Sequence, residues 1–256
     1  IYQQFYHEAR YRPSTLMNTR MEAGFLGRKT GEGFYVYEGG KQQAPEEKKA
    51  PNYDGRAVWV SQVHVHAYEQ IIGILNKLNA TIDEGEEPDD NSLCIVSPLG
   101  IDATTAAIEE GLNPEHTIAI DTLFNLSLRR TLMKTPVTDP AYTKSAHGLF
   151  ASDDTPVTVV RDSTGFVSQR IVAMIVNIGC SIAQSGAATP EDIDKAVMLG
   201  LGYPHGPLGF GDTVGADRIL EILISIFEMT GDPRYRPTPW LRRRALLGLS
   251  LLTTET

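Results

Sequence analysis

The residues closest to a recognisable chemical pattern are two histidines, a serine and two cysteines. His64 and His66 alternate at the end of a predicted strand and would share one face, but a metal site needs a third ligand and none is suitably spaced. Ser97 has no Gly-x-Ser-x-Gly elbow around it, which disfavours a hydrolase nucleophile. Cys94 and Cys180 belong to no Cys-x-x-Cys or Cys/His cluster. We therefore predict no metal site, and two reduced thiols.

Composition and charge exclude several classes of partner. The 256 residues are 41% hydrophobic and 21% charged, and the formal net charge is −9. This acidic balance disfavours sequence-independent binding to nucleic acid or to an anionic membrane. The basic cluster at 242–244 is predicted to be the solvated face of a helix, and we expect a cytoplasmic protein. Four further histidines are isolated and are predicted to be surface or loop residues: His7, His116, His147 and His205.

Residues 56–161 alternate short β-branched runs with helical patterns, which favours a parallel α/β sheet. Strands are predicted at 57–60, 80–82, 92–96, 116–120 and 155–160. Helices are predicted at 68–78 and 104–112.

Residues 162–256 have the pattern of a helical domain. The first helix, ended by Gly186, is predicted from one apolar stripe: Val167, Ile171, Met174, Ile175, Ile178 and Ile182. Thr189 and Pro190 mark the start of a second helix. Helices are also predicted at 217–231 and 240–249, and Asp212 and Asp217 are expected to cap a helix start.

An internal repeat links the two ends of the chain. Arg-Tyr-Arg-Pro at 10–13 recurs at 234–237, and at the same offset Arg20 meets Arg244 and Gly24 meets Gly248. We interpret this as a tandem domain duplication within a longer protein. Residues 1–40, with a helix at 14–24 and a strand at 34–37, would close the first copy. Residues 41–55 have linker composition.

Three stretches, 160–172, 191–220 and 234–237, together resemble the C-terminal domain of 3-hydroxyacyl-CoA dehydrogenases. The matching positions are Asp162, Gly165, Phe166, Arg170, Ile193, Asp194, Gly200, Leu201, Gly202, Pro204, Gly206, Pro207, Asp212, Gly215 and Asp217. Residues 8–37 look like the closing segment of the same domain in a preceding copy. The resemblance implies an α/β plus all-α fold: a truncated Rossmann-like parallel sheet domain in 56–161, followed by the helical C-terminal domain in 162–256.

The resemblance also implies oxidation of a 3-hydroxyacyl-CoA to a 3-oxoacyl-CoA by NAD, as in the β-oxidation of fatty or aromatic acids. In this sequence the dinucleotide fingerprint Gly-x-Gly-x-x-Gly falls on Ser61, Val63 and His66. Without those glycines the backbone cannot approach a pyrophosphate closely. Asp83 could stand in for the acid that binds the ribose. We predict no cofactor bound to this fragment, and NAD only in the full-length enzyme.

The family's His–Glu pair transfers the hydroxyl proton. One alignment places this His at Asp121 and another places it at Thr122. The Glu, twelve residues later in the family pattern, then lands on Met133 or Lys134. Neither alignment restores the pair.

The family's serine and asparagine fall on Gly100 and Gln169. With all these positions replaced, we predict no catalytic residue in this chain. The favoured hypothesis is a non-catalytic half of a tandem dehydrogenase that acts as a scaffold and in dimerisation. Its partners would be the missing N-terminal half, a second copy through the helical domain, and acyl-CoA in the full-length enzyme. The alternatives are a divergent acyl-CoA- or NAD-binding protein with an altered site, and an unrelated binding module.

Overall fold

The computed structural model describes residues 2–43 and 49–255, which form two compact units that meet in sequence at Lys49 and Ala50. The first unit contains α1 (Thr15–Glu22) and an antiparallel hairpin of β1 (Tyr37–Glu38) and β2 (Lys41–Gln42). The predicted cap of α1 is confirmed, since the Ser14 hydroxyl accepts a hydrogen bond from the Met17 N–H. Of the strand predicted at 34–37, Tyr37 lies in β1, Val36 forms an isolated antiparallel bridge with Glu32, and the prediction is wrong at 34–35. Residues 44–48 of the predicted linker lie outside the described residues.

The second unit begins with a five-stranded sheet. Its strands follow one another in space as they do in sequence: β3 (Val58–Val60), β4 (Leu93–Val96), β5 (Thr117–Ile120), β6 (Arg130–Lys134) and β7 (Val157–Arg161). Adjacent strands are parallel except β5 and β6. The predicted fold class is confirmed, although β6 was not predicted. The strand predicted at 80–82 is a single parallel bridge between Val58 and Ile82.

Three helices cover the two faces of this sheet: α2 (Val65–Lys77), α3 (Ala103–Glu109) and α4 (Pro140–Phe150). Since side chains alternate along a strand, Val58 and Val60 pack in the layer of α2 and α4, while Trp59 packs in the layer of α3. The sequence did not predict α4. His147, predicted to be a surface or loop residue, lies half-buried in α4, and burial lowers the pKa of its imidazole.

The chain just before β3 packs against α4. The Ser145 hydroxyl donates to the Asp54 carboxylate over 2.6 Å. A Cβ at Gly148 would lie 2.6 Å from the backbone of both Pro51 and Tyr53, so α4 and this segment are in close contact. The last residues of the predicted linker 41–55 are therefore part of the packed second unit.

The helical part contains α5 (Ser168–Gln184), α6 (Pro190–Leu201), α7 (Pro207–Val214), α8 (Ala216–Thr230) and α9 (Pro239–Leu247). The predicted start of α6 is confirmed, because the Thr189 hydroxyl accepts from the Asp192 N–H. The sequence did not predict α7. The capping role predicted for Asp212 is wrong: this residue lies inside α7 and accepts from the Ser250 hydroxyl and the Leu251 N–H.

The orientation of α5 differs from what its apolar stripe suggests. Its buried face includes the polar residues Gln169 and Asn177 together with small or apolar neighbours. The predicted stripe is exposed or half-buried, and Ile171 is 54% exposed. Arg244, predicted to be solvated with its neighbours, is also buried, since its guanidinium lies over the Trp240 ring and donates to the Thr253 carbonyl. Among the described residues, no helix is long and apolar enough to cross a membrane.

Candidate functional site

A cluster of polar side chains lies where parallel β4 and β5 end and α5 begins. We call Ser97, Asp121, Thr122, Ser168 and Gln169 the polar cluster. Open α/β sheets place their ligand sites at the carboxyl ends of their strands. The Ser97 and Thr122 hydroxyl oxygens lie 2.6 Å apart and share one hydrogen bond. The structure therefore brings together Asp121, Thr122 and Gln169, which the sequence alignment placed at family site positions.

Gln169 is fully buried, and each end of its amide has a partner. Its Oε1 accepts from the Gly100 N–H over 2.8 Å. Its Nε2 lies 3.1 Å from both the Pro98 carbonyl and the Asp121 carboxylate. This amide therefore joins α5 to the ends of both β4 and β5, and it has no exposed surface to offer a ligand.

Asp121 accepts three hydrogen bonds from the protein. The donors are the Leu123 N–H over 3.1 Å, the Gln169 amide and the Ser168 hydroxyl. The protein therefore uses most of the acceptor sites of this carboxylate, which makes Asp121 a structural acceptor. Thr122 offers only a hydroxyl, which does not titrate near neutral pH as an imidazole does.

Gly100 occupies the position that the alignment gives to the family serine, and it has no room for a side chain. Its φ is +81°, and a Cβ would lie 2.7 Å from both the Ile222 carbonyl oxygen and the Ser225 Cβ on α8. Helix α8 thus packs directly on the backbone at this point. The backbone conformation of Gly100 and the packing of α8 therefore leave no space for a serine side chain at this position.

The sheet register separates the two other predicted positions from the polar cluster. Met133 pairs with Ala119, and Lys134 pairs with Ile118, both within β5. The residue whose carbonyl meets the Asp121 N–H is Thr131. No acid faces Asp121 or Thr122 from β6.

The turn between β3 and α2 lies at a topological switch point, because β3 pairs with β4 on one side and with Ile82 on the other. The Ser61 N–H donates to the Ile95 carbonyl, and the Val63 N–H donates to the Ser61 hydroxyl over 3.3 Å. His66 lies one residue after α2 begins and approaches Gln70. The N–H groups of Ser61 and Val63 are thus already used by the protein.

Two acids lie near this turn: Glu110 beside Ser61, and Asp83 beside β3. Burial raises the pKa of the Glu110 carboxyl, against smaller lowering effects of a hydrogen bond from Ser61 and of nearby His64. Asp83 accepts from the N–H groups of Gly85 and Asp89 and from the Ser92 hydroxyl. Burial would raise the pKa of Asp83, but these hydrogen bonds outweigh it and lower the pKa. Asp83 anchors its own loop, and Glu110 adds a carboxyl beside the turn, so these residues do not fit a dinucleotide.

The polar cluster opens onto a cleft of about 410 Å³ between α2 and the start of α8. Ser97 and Thr122 lie at one wall, His64 at a second, and Asp217 and Glu221 at a third. Across residues 2–43 and 49–255, no three His, Cys, Asp or Glu side chains are grouped so that they could hold a metal ion. His64 is the residue that precedes α2, so it does not share a strand face with His66.

Sequence reasoning missed three features next to this site. These are Glu110 beside Ser61, Arg218 between two clefts, and the stacked rings of Phe124 and Phe210. Each arises from residues far apart in sequence. No motif spacing could have indicated them.

Known proteins resemble this chain in both sequence and structure. Residues 1–37 and 165–252 match the family model of the 3-hydroxyacyl-CoA dehydrogenase C-terminal domain. A 3-hydroxyadipyl-CoA dehydrogenase of Escherichia coli is 29% identical over 96% of this chain and 46% of its own length. A 3-hydroxybutyryl-CoA dehydrogenase of Mycobacterium tuberculosis is 38% identical over 46% of this chain and 41% of its own.

Among solved structures, a 3-hydroxybutyryl-CoA dehydrogenase from Escherichia coli aligns with a TM-score of 0.74 and 27% identity. That alignment covers 96% of this chain and 47% of the crystallised one. The chain therefore spans about half the length of the relatives that it matches along most of its own sequence.

Proposed function

We propose, from the premise that this chain belongs to the 3-hydroxyacyl-CoA dehydrogenase family, that it is the non-catalytic half of a longer dehydrogenase. The whole protein would oxidise a 3-hydroxyacyl-CoA to a 3-oxoacyl-CoA with NAD, as members of this family normally do. This half would act as a scaffold that completes the assembly. The NAD would bind elsewhere, since Ser61, Val63, Asp83 and Glu110 do not fit it.

The observation that carries this proposal is the packing of α8 on Gly100. A dehydrogenase site needs space beside the reacting carbon for substrate and for the groups that polarise it. Here the backbone of Ile222 and the side chain of Ser225 fill the space that a serine side chain would need. The polar cluster satisfies its own hydrogen bonds, which is the property of a structural network.

The tandem arrangement is supported by a structural repeat at the same offset as the sequence repeat. Short 3-10 helices at Ala9–Tyr11 and Pro233–Tyr235 precede α1 and α9, respectively. Ser14 caps α1 and Thr238 caps α9 in the same way, because each hydroxyl accepts a hydrogen bond from the N–H three residues later. Gly24 and Gly248 follow them with positive φ. The family model also matches two separate segments, one at each end of the chain.

The exposure of α1 supports the same interpretation. Trp240 and Leu241 of α9 are buried in the helical core. Their counterparts in α1, Leu16 and Met17, are more than half exposed. The apolar side chains of Leu16 and Met17 could therefore pack in a helical core of the same kind as the one that α9 joins with α5 and α8.

For the partner of this half we propose a second helical domain, bound through the exposed stripe of α5. Residues 171–184 contain no charged side chain, and apolar residues predominate on both faces of α5 apart from the buried Gln169 and Asn177. Helices that are apolar all round are normally buried. The exposed stripe therefore favours a homodimer, or a pairing with the helical domain of the other half.

The first experiment measures catalysis and cofactor binding by the isolated chain, with the Escherichia coli relative as the positive control. We expect no turnover of 3-hydroxybutyryl-CoA and no saturable heat when NAD is titrated at micromolar concentrations. The second experiment replaces the aligned half of the Escherichia coli relative with this chain. A scaffold should let the chimera fold and retain activity, whereas turnover by the isolated chain would contradict the proposal.

A further inference from the structure

We propose that the groove between α2 and α7 binds a small anion that also carries an N–H or O–H donor and an aromatic body. This α2–α7 groove has a volume of about 480 Å³ and is bounded by α2, by residues 123–126 after β5, and by α7 with the start of α8. Its size falls within the range of small-molecule pockets, roughly 300–1,000 Å³. No residue of the polar cluster lines it, and the proposal does not depend on the scaffold role.

The charge for an anion comes from Arg218. This side chain is half-buried, and its guanidinium makes a long hydrogen bond, 3.5 Å, to the Val214 carbonyl. Within the described residues no carboxylate lies within 4.0 Å of it, although Asp217 and Glu221 line the neighbouring cleft. A guanidinium presents a planar fork of N–H donors that suits carboxylate or phosphate oxygens. The anionic group of the ligand would bind there.

The donor requirement comes from Gln70. Its Oε1 is buried and has no hydrogen-bond partner, while its Nε2 lies 3.1 Å from the His66 ring nitrogen. A buried acceptor without a partner is unfavourable, and native proteins normally satisfy such groups. Because Gln70 lines the groove but its Oε1 is covered, the side chain must turn toward the groove for an N–H or O–H group on the ligand to supply the missing bond.

The aromatic requirement comes from a stack of parallel rings. Phe124 and Phe210 line the groove with ring centroids 6.0 Å apart and planes within 8° of parallel. His205 extends the stack on Phe210 at 5.6 Å. Phe124 remains 40% exposed. Flat rings add to such a stack favourably, so the body of the ligand would be aromatic.

N-benzoylglycine combines these features in one small molecule, since it has a carboxylate, an amide N–H and a phenyl ring. We would titrate it into the full chain by calorimetry. The neutral N-benzoylglycinamide tests the role of charge, and pantothenate offers carboxylate, amide and hydroxyl groups without a ring. We expect N-benzoylglycine to bind at least about tenfold more tightly than its neutral amide, the usual scale for a charged hydrogen bond. Pantothenate should bind several-fold more weakly than N-benzoylglycine.

Variants test whether the groove is the site. Arg218→Gln should weaken N-benzoylglycine about tenfold or more, and Gln70→Leu should weaken it several-fold. Arg242→Gln, an exposed arginine on α9, is the matched control and should leave binding unchanged. Melting curves establish that each variant is folded. Absence of saturable binding at millimolar concentration, equal binding by a folded Arg218→Gln protein, or tighter binding of pantothenate would each overturn the proposal.

Discussion

The side-chain oxygen of Gln169 accepts a hydrogen bond from the Gly100 N–H over 2.8 Å, with both residues buried. This bond joins the first turn of α5 to the turn after β4, so it connects the helical part of the second unit to its sheet. The same amide reaches the carboxylate of Asp121 at the end of β5. The family resemblance assigns the positions of Gly100, Asp121 and Gln169 to substrate chemistry. In this chain the three residues are instead hydrogen-bonded to one another through the Gln169 amide.

The first prediction restores the family residue with Gly100→Ser. The substitution should lower the free energy of unfolding by roughly 2–4 kcal/mol, because φ is +81° and the new Cβ would meet the α8 backbone. Urea denaturation followed by circular dichroism measures the change.

The matched control is Gly111→Ser. Gly111 has a φ of +67°, but a Cβ added there would have no atom within 4 Å. The substitution should cost only the conformational strain, about 1 kcal/mol. Equal losses in the two variants would show that α8 does not crowd Gly100.

The second prediction removes the connection with Gln169→Ala. The Gly100 N–H and the Pro98 carbonyl would lose a partner in a buried environment, and Asp121 would lose a donor. We expect a loss of roughly 2–4 kcal/mol in thermal or urea unfolding. Gln184→Ala, at the exposed end of the same helix, should change stability by less than about 0.5 kcal/mol. A neutral effect of Gln169→Ala would mean that water replaces the amide without cost.

The sequence predicted most elements that have a strong local pattern. Thr189 with Pro190 marked the start of α6, and Gly231 marked the end of α8, because caps depend on a few neighbouring residues. In contrast, β6 is only five residues long and has a charged residue at each end, and α4 includes Gly148, a poor helix former. Gly148 is needed for the close approach of residues 51–53, which no local pattern reveals.

The orientation of α5 shows a second limit of prediction from sequence. Asn177 is buried because its side chain bonds the Arg236 carbonyl and the Thr238 N–H, residues some sixty positions away. Tertiary hydrogen bonds therefore place a polar residue in the core, while Ile171 stays exposed. The periodicity of the apolar residues alone predicts that the opposite face of α5, which carries Ile171, is buried. For the same reason the sequence named Asp121, Thr122 and Gln169 as separate family positions but could not show that Gln169 and Asp121 are bonded to each other.

The third prediction concerns acid stability. Arg130 is buried and donates two 2.8 Å hydrogen bonds to Asp153, which lowers the pKa of that carboxyl to about 2. Since the folded pKa is below the unfolded value of about 3.9, the pair stabilises the protein above that pH. Its contribution is lost as the pH falls toward 2. Because the Asp153 side chain is 40% exposed, screening limits the contribution to about 1 kcal/mol.

Asp153→Asn should therefore lower stability by about 1 kcal/mol at neutral pH and flatten the pH dependence between about 5 and 2. Its neighbour provides the control: Asp154 is exposed with a φ of +62°, a conformation that asparagine tolerates. Asp154→Asn should leave both stability and its acid slope almost unchanged. Denaturation curves at several pH values compare the two variants, and identical slopes would contradict the assignment to Asp153.

The last prediction tests the exposed stripe of α5 as the contact with a second helical domain. Ile171 is 54% exposed in this chain, so Ile171→Glu should leave the fold of a single chain nearly intact. In a dimer formed through this stripe, the same change would bury an unpaired carboxylate from each chain in the interface, at several kcal/mol. We expect the variant to be monomeric by light scattering at concentrations where the unmodified chain is dimeric. Ile108→Glu, at a 64% exposed position on α3, is the control and should not change the mass. If the Ile171 variant remains dimeric, the stripe is not the interface, because a buried carboxylate within it would dissociate the dimer.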